Sequence, residues 1–189
     1  MKKIVSVLLV CLLCAWTLSG CLMKHPIQKF AETMYTADSY QVEIGVTDIP
    51  FVGELSVTLQ VDGDVTYTPE ILFAPAKYVE KKDGKQYVYT ENSDGTWTKT
   101  EGEVEDAMSE LDVEELLELL NPANYEEVEE GVFEQKDDVT FDDFEDVVIT
   151  IGEDEYTIEA ATSAEGLTVH VEIEISKING VELTLPDAD

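Results

Sequence analysis

Leu167-Thr168-Val169-His170-Val171-Glu172-Ile173-Glu174-Ile175-Ser176 alternates apolar and polar residues without a break. Successive side chains of a strand point to opposite faces, so this stretch reads as a strand with one dry and one wet face. The same period of two runs through Tyr40, Val42, Ile44 and Val46, and through Leu55, Val57, Leu59 and Val61. Asp62-Gly63, Asp83-Gly84, Asp94-Gly95 and Asn179-Gly180 punctuate the chain between such runs. These pairs tolerate the positive φ of tight hairpin turns, so neighbouring strands are expected to pair antiparallel. The reading is a long meander of roughly nine or ten strands, with its middle members around 65–73 and 124–135.

Only two helices interrupt this pattern. Pro26 suits a first helical position, and Ile27, Phe30, Met34 and Ala37 follow at three- and four-residue steps. Lys24, His25 and Lys29 are its positive residues, and the helix is expected to pack on the domain. Farther on, Asp112 and Glu115 have capping-box spacing. Val113, Leu116, Leu117 and Leu120 form an apolar stripe, Val104, Met108 and Leu111 extend it upstream, and Asn121-Pro122 stops it. Helices near 27–37 and 104–120 are little cover for the dry face of so many strands. The fold class expected is therefore α+β: a single curved antiparallel sheet, a half-barrel, with a few short helices on its concave side. The mid-strand apolar residues Val42, Ile44, Val57, Leu59, Val169 and Val171 are the candidates for lining a hydrophobic pocket there.

The N-terminus carries a different signal. Lys2 and Lys3 precede an apolar run from Ile4 to Leu18 that ends in Leu18-Ser19-Gly20-Cys21. The run is too short for a spanning helix, which needs about 20 apolar residues, and suits a secretory leader. Small residues before the cut fit a peptidase cleft, and a thiol at the new N-terminus can carry a thioether-linked diacylglycerol. The four residues resemble a lipobox, with Cys21 the lipidation site, and mark the chain as resembling a bacterial lipoprotein held on the extracytoplasmic face of a membrane. Residues 1–20 are then the leader, 21–39 a lipidated tether with its short helix, and 40–189 the sheet domain.

Composition narrows the function. Cys11, Cys14 and Cys21 are the only cysteines, so the processed domain has no disulfide, thiolate metal site or cysteine nucleophile. Lys and Arg total 11 against 42 Asp and Glu, a formal net charge of −31, and arginine is absent. Such a surface repels nucleic acid and anionic polymers and lacks a bidentate fork for phosphate. It serves as a solubilising coat, with a cationic partner as the alternative.

The order of elements is a helix, antiparallel hairpins, a mid-chain helix and closing strands ending in Val181-Glu182-Leu183-Thr184-Leu185-Pro186. Together with the hairpins around Gly84-Lys85-Gln86-Tyr87-Val88-Tyr89 and Asp94-Gly95-Thr96-Trp97, this order resembles the LolA/LolB-like half-barrel superfamily. That superfamily includes lipoprotein carriers and LppX/LprG-type lipid-binding lipoproteins. The resemblance spans about residues 27–186 and implies a hollow for acyl chains and no catalytic residues.

Other constellations favour plain structural readings. His170 falls on a polar strand face, and one domain histidine does not build a zinc site by itself. Asp137, Asp138, Asp142, Asp143, Glu145 and Asp146 lack the glycine and spacing of a calcium loop, and so many acids cluster by composition alone. No nucleophile elbow, phosphate loop or His-Glu-x-x-His motif occurs, though the many carboxylates mask any glycosidase-type pair. Tyr78, Tyr87, Tyr89 and Trp97 read as cross-strand hairpin pairs. The expectation is a membrane-anchored, non-enzymatic lipoprotein without cofactors that binds a lipid or acyl group. The alternative is a fully packed module that binds another envelope protein.

Overall fold

The computed structural model describes residues 24–71, 74–102, 119–141, 144–164 and 167–188. The leader, the Leu18–Cys21 motif, Asp142 and Asp143, and all but the last two residues of the helix expected around 104–120 lie outside the described residues.

Eleven strands form one antiparallel sheet. They are β1 (Ser39–Ile49), β2 (Gly53–Asp62), β3 (Val65–Thr68), β4 (Lys77–Lys82), β5 (Lys85–Glu91), β6 (Trp97–Glu101), β7 (Tyr125–Glu129), β8 (Val132–Gln135), β9 (Glu145–Ile151), β10 (Tyr156–Ala164) and β11 (Leu167–Ser176). The spatial order is β6-β5-β4-β3-β2-β1-β11-β10-β9-β8-β7. Two meanders are thus joined by pairing β1 with β11, so the first and last strands meet at the centre of the sheet. The sheet is open, with β6 and β7 as its edges. Glu126, Glu127 and Glu129 are exposed along β7, where repulsion between carboxylates discourages a further strand from pairing.

The turns follow from residue chemistry. Asp83 and Gly84 both take positive φ, 52° and 75°, as a type I′ hairpin requires. Between β1 and β2 the sequence signal is weaker, and Asp48, Phe51 and Gly53 supply the positive φ. Asn179-Gly180 does not join two strands. It turns the chain back to the start of β1, where the Asn179 amide donates to the Ser39 carbonyl and its Oδ1 accepts from the Asp38 amide.

One expectation needs correction. Val181–Pro186 forms no strand; its alternation is real, but side chains replace a ladder. The Val181 amide donates to Ser39 Oγ at 3.2 Å and the Leu183 amide to Asp62 Oδ2 at 2.9 Å. Among the described residues lie one α-helix, α1 (Pro26–Thr36), and a 3-10 turn, Pro122–Asn124, that Pro122 opens. The Asn121 side chain caps that turn by accepting from the Ala123 amide.

Residues directly opposite in an antiparallel ladder share a face. One row across the sheet reads Leu59–Val42–Ile175–Tyr156–Ile151, and the next reads Val57–Ile44–Ile173–Ile158–Ile149–Phe133. A third, Leu55–Val46–Val171–Ala160, is equally apolar. Helix α1 covers the β8–β11 part of this face. Ile27 is fully buried in a cluster with Phe133, Val147 and Ile149, while Phe30 stacks on Tyr156 with ring centroids 4.4 Å apart. The helix therefore belongs to the core, although its sequence lies in the stretch read as tether.

Gly131 turns β7 into β8 with φ 79°, and a Cβ there would lie 2.7 Å from the Ile151 carbonyl oxygen. Gly63, at φ 56°, has nothing within 4 Å of its would-be Cβ. Gly63→Ala is expected to cost only the left-handed strain of about 1–2 kcal/mol. Gly131→Ala adds a backbone clash and should cost clearly more. Paired denaturant melts check this, and equal losses would contradict it.

Candidate ligand-binding face

The sheet gathers all six candidate pocket residues onto the face that α1 partly covers. Val42 lies opposite both Leu59 and Ile175, Ile44 opposite Val57, and Val171 opposite Val46. Val169 sits farther along β11, opposite Thr162. Every one of the six is half-buried. They are not equivalent, however. Val42 packs with Phe30, Tyr156 and Ile175 beneath α1, and so belongs to the filled part of the core. Ile44, Val57, Leu59, Val169 and Val171 lie outside both buried clusters of the described residues.

These apolar rows end at an exposed tip that the sequence reading did not single out. Phe51 is 109% exposed and Val52 58%, in the turn between β1 and β2. Leu167, 53% exposed, begins β11 at the same end of the sheet. Phe51 also takes φ 68°, a region unfavourable for a bulky side chain. The signal was legible in Ile49-Pro50-Phe51-Val52-Gly53, an uncharged stretch in a chain that is 28% charged. Beside it, the exposed His170 ring contacts Asp48 Oδ2 through Nδ1 at 2.8 Å across the two strands.

A surface hollow of about 640 Å³ lies elsewhere, against β8 and β9, between Glu134 and Val148. None of the six residues lines it; Phe141, Phe144, Glu145 and Asp146 do. Of the acidic cluster, Asp137, Asp138, Glu145 and Asp146 are exposed, and no group of three or more potential ligands forms among the described residues. No helix among the described residues is long and apolar enough to cross a membrane.

The opposite face carries the aromatic group. From β2 outward, Gln60–Tyr67–Tyr78–Tyr89–Lys99 forms a row on the side away from α1. Tyr89 Oη donates to Glu80 Oε2 at 2.8 Å, and Lys99 Nζ donates to Tyr89 Oη at 2.6 Å. Tyr67, Tyr78 and Trp97 form a second set, with centroids 4.5 and 5.3 Å apart in sequence along the group. Tyr67 and Tyr78 are directly opposite on neighbouring strands, whereas Trp97 reaches Tyr78 from β6 across β5.

Two polar groups fix the covered half. His25 caps α1: its Nδ1 accepts from the Ile27 amide at 3.3 Å, and Gln28 Oε1 accepts from the His25 amide at 3.3 Å. Its ring lies 5.0 Å from that of Phe133. Tyr125 Oη donates to the Leu119 carbonyl at 2.6 Å in the buried cluster, and burial raises that phenol well above its ordinary range. The chain matches no family model, and comparison with curated proteins finds none that matches it.

Burial lowers the His25 pKa from 6.5, with Glu127 opposing the shift. The folded chain thus holds fewer protons there than the unfolded chain, and only the neutral imidazole can accept the capping bond. This contribution is present above pH 6.5 and is lost as pH falls through the lowered folded value. His25→Asn keeps a cap without titrating. It should lose less stability than the parent between pH 8 and pH 5 in melts; identical losses would remove His25 from the pH response.

Proposed function

We propose that this chain is an extracytoplasmic lipoprotein anchored by lipid on Cys21, whose half-barrel-like sheet binds an acyl chain or similar apolar group. One observation carries the reading. The apolar rows continue past α1 onto β1 and β2, where Ile44, Val46, Leu55, Val57 and Leu59 remain half-exposed. Contiguous apolar surface of this kind marks a binding site for an apolar partner. The rows run out to Phe51, Val52 and Leu167, which would let an acyl chain pass from a bilayer along the strands, between the exposed Asp48 and Glu54. Binding rather than catalysis suits this face, since its side chains offer neither nucleophile nor acid–base pair.

Val42 and Val57 separate a filled from an open face. Val42→Trp is expected to overpack the site under α1 and to destabilise the chain by about 1–3 kcal/mol. Val57→Trp should leave the melt within about 0.5 kcal/mol and lower the uptake of a fluorescent fatty acid. In the same assays Phe51→Asn, which tolerates the left-handed backbone, should slow transfer from vesicles while equilibrium binding stays intact. Equal destabilisation at Val42 and Val57, with no fatty acid bound by the parent, would support a packed interaction module instead.

Anchoring has its own test. Two acyl chains on Cys21 hold a domain where one gives only marginal attachment. Cys21→Ala should therefore accumulate as precursor or be shed, and should leave the detergent phase on partitioning. Normal processing and partitioning of that variant would contradict the anchor.

A further inference from the structure

We infer that the face away from α1 carries a site for the ammonium group of a lysine in a basic segment of another protein, formed by Tyr67, Tyr78, Trp97 and Glu91. The chain contains an internal example of the chemistry. Lys99 Nζ lies 4.3 Å from the centre of the Tyr87 ring, donates to Tyr89 Oη at 2.6 Å and pairs with Glu80 at 3.7 Å. One tyrosine ring, one phenol oxygen and one carboxylate thus hold a primary ammonium. Attraction between a cation and the negative face of a ring makes that contact favourable, and the carboxylate adds to it.

The adjoining group repeats those components on the next positions of the same sheet face. Tyr67 and Tyr78 are opposite each other on β3 and β4, and Glu91 is opposite Trp97 on β5 and β6. Burial, then Tyr67, and then the Glu91 charge raise the phenol pKa of Tyr78. All four side chains are half-buried, so part of each ring remains open to a ligand. Among the described residues, the cation–ring contact of this face is the one that Lys99 makes with Tyr87.

Ring orientation favours a cation over a sugar. The Tyr67 and Tyr78 planes are inclined at 36°, and Tyr78 meets Trp97 at 62°. Rings packed at these angles present faces and edges to a compact group beside them, whereas a pyranose stacks on a flat platform. Charge complementarity supplies the rest. The chain as a whole, at net charge −31, attracts a basic segment, while the lysines of β4 and β5 offset the acids locally and leave the rings with Glu91 as the one defined contact. The site lies on the face opposite the proposed acyl-binding rows, so both could be occupied at once.

Trp16 and Trp97 are the only tryptophans, so in the full chain carrying Trp16→Phe the emission reports from Trp97 alone. The probe is an eight-residue lysine–serine peptide, titrated into that chain in neutral detergent. A saturable change in Trp97 emission is expected. Tyr67→Leu, which leaves the net charge unaltered, should weaken binding about tenfold, and Tyr78→Phe, which keeps the ring, should stay within about threefold of the parent. Glu91→Gln, at a surface position, should weaken it several-fold and serves as the second probe if Tyr67→Leu unfolds. Absence of saturation, or full binding by Glu91→Gln, would overturn the site in favour of diffuse attraction. Saturable binding of a neutral oligosaccharide in place of the peptide would overturn it in favour of a sugar platform. A fatty-acid titration of the same chains is independent of both results.

Discussion

An antiparallel sheet of eleven strands with an apolar face has to keep that face from water, and among the described residues the one helix, of eleven residues, is too small to cover it. Helix α1 seats Ile27 and Phe30 against β8–β11, and each fully buried side chain of this size contributes about 1.5–3 kcal/mol. The consequence is an asymmetric molecule. Where the helix lies, Phe133, Val147 and Ile149 are closed from solvent; along β1 and β2 the same rows are only half-buried. The site proposed here is the continuation of the core beyond its cover.

Electrostatics sets how such a chain lives beside a membrane. With 42 acidic residues and no arginine, its surface is repelled by anionic polymers, and exposed glutamates on β7 keep the sheet edge from recruiting a strand. Against that background, uncharged surface is conspicuous. The stretch Ile49–Gly53 is such a place, and it lies where the apolar rows end. An apolar ligand and the bilayer from which it comes would meet the protein at this end of the strands, where the uncharged stretch lies between Asp48 and Glu54.

Sequence alone exposes part of this arrangement and hides the rest for physical reasons. The strands at 40–46, 55–61 and 167–175 are legible because a period of two is a local property. Pairing of β1 with β11 is not, since it joins residues more than a hundred positions apart. Nor is the change of face at β3. Gln60 opposes Tyr67, so the tyrosines of β3–β5 fall on the side away from α1, a consequence of hairpin register that composition cannot show. Val181–Leu185 misleads because alternation reports burial, not ladder hydrogen bonds; Ser39 and Asp62 side chains satisfy the backbone instead. Among the pocket residues, the sequence groups Val42 with Val57, whereas the helix docked above separates them.

The central claim is that the apolar rows of β1, β2 and β11 hold a ligand rather than merely packing on the chain's own side chains. Native mass spectrometry of the full chain, released gently from detergent micelles, tests it most directly. The account predicts a fraction of molecules heavier by a noncovalently bound lipid, beyond the mass of any covalent anchor, and loss of that mass on collisional activation. A spectrum containing only the chain and its covalent modifications, in several detergents and after incubation with lipid, would contradict it.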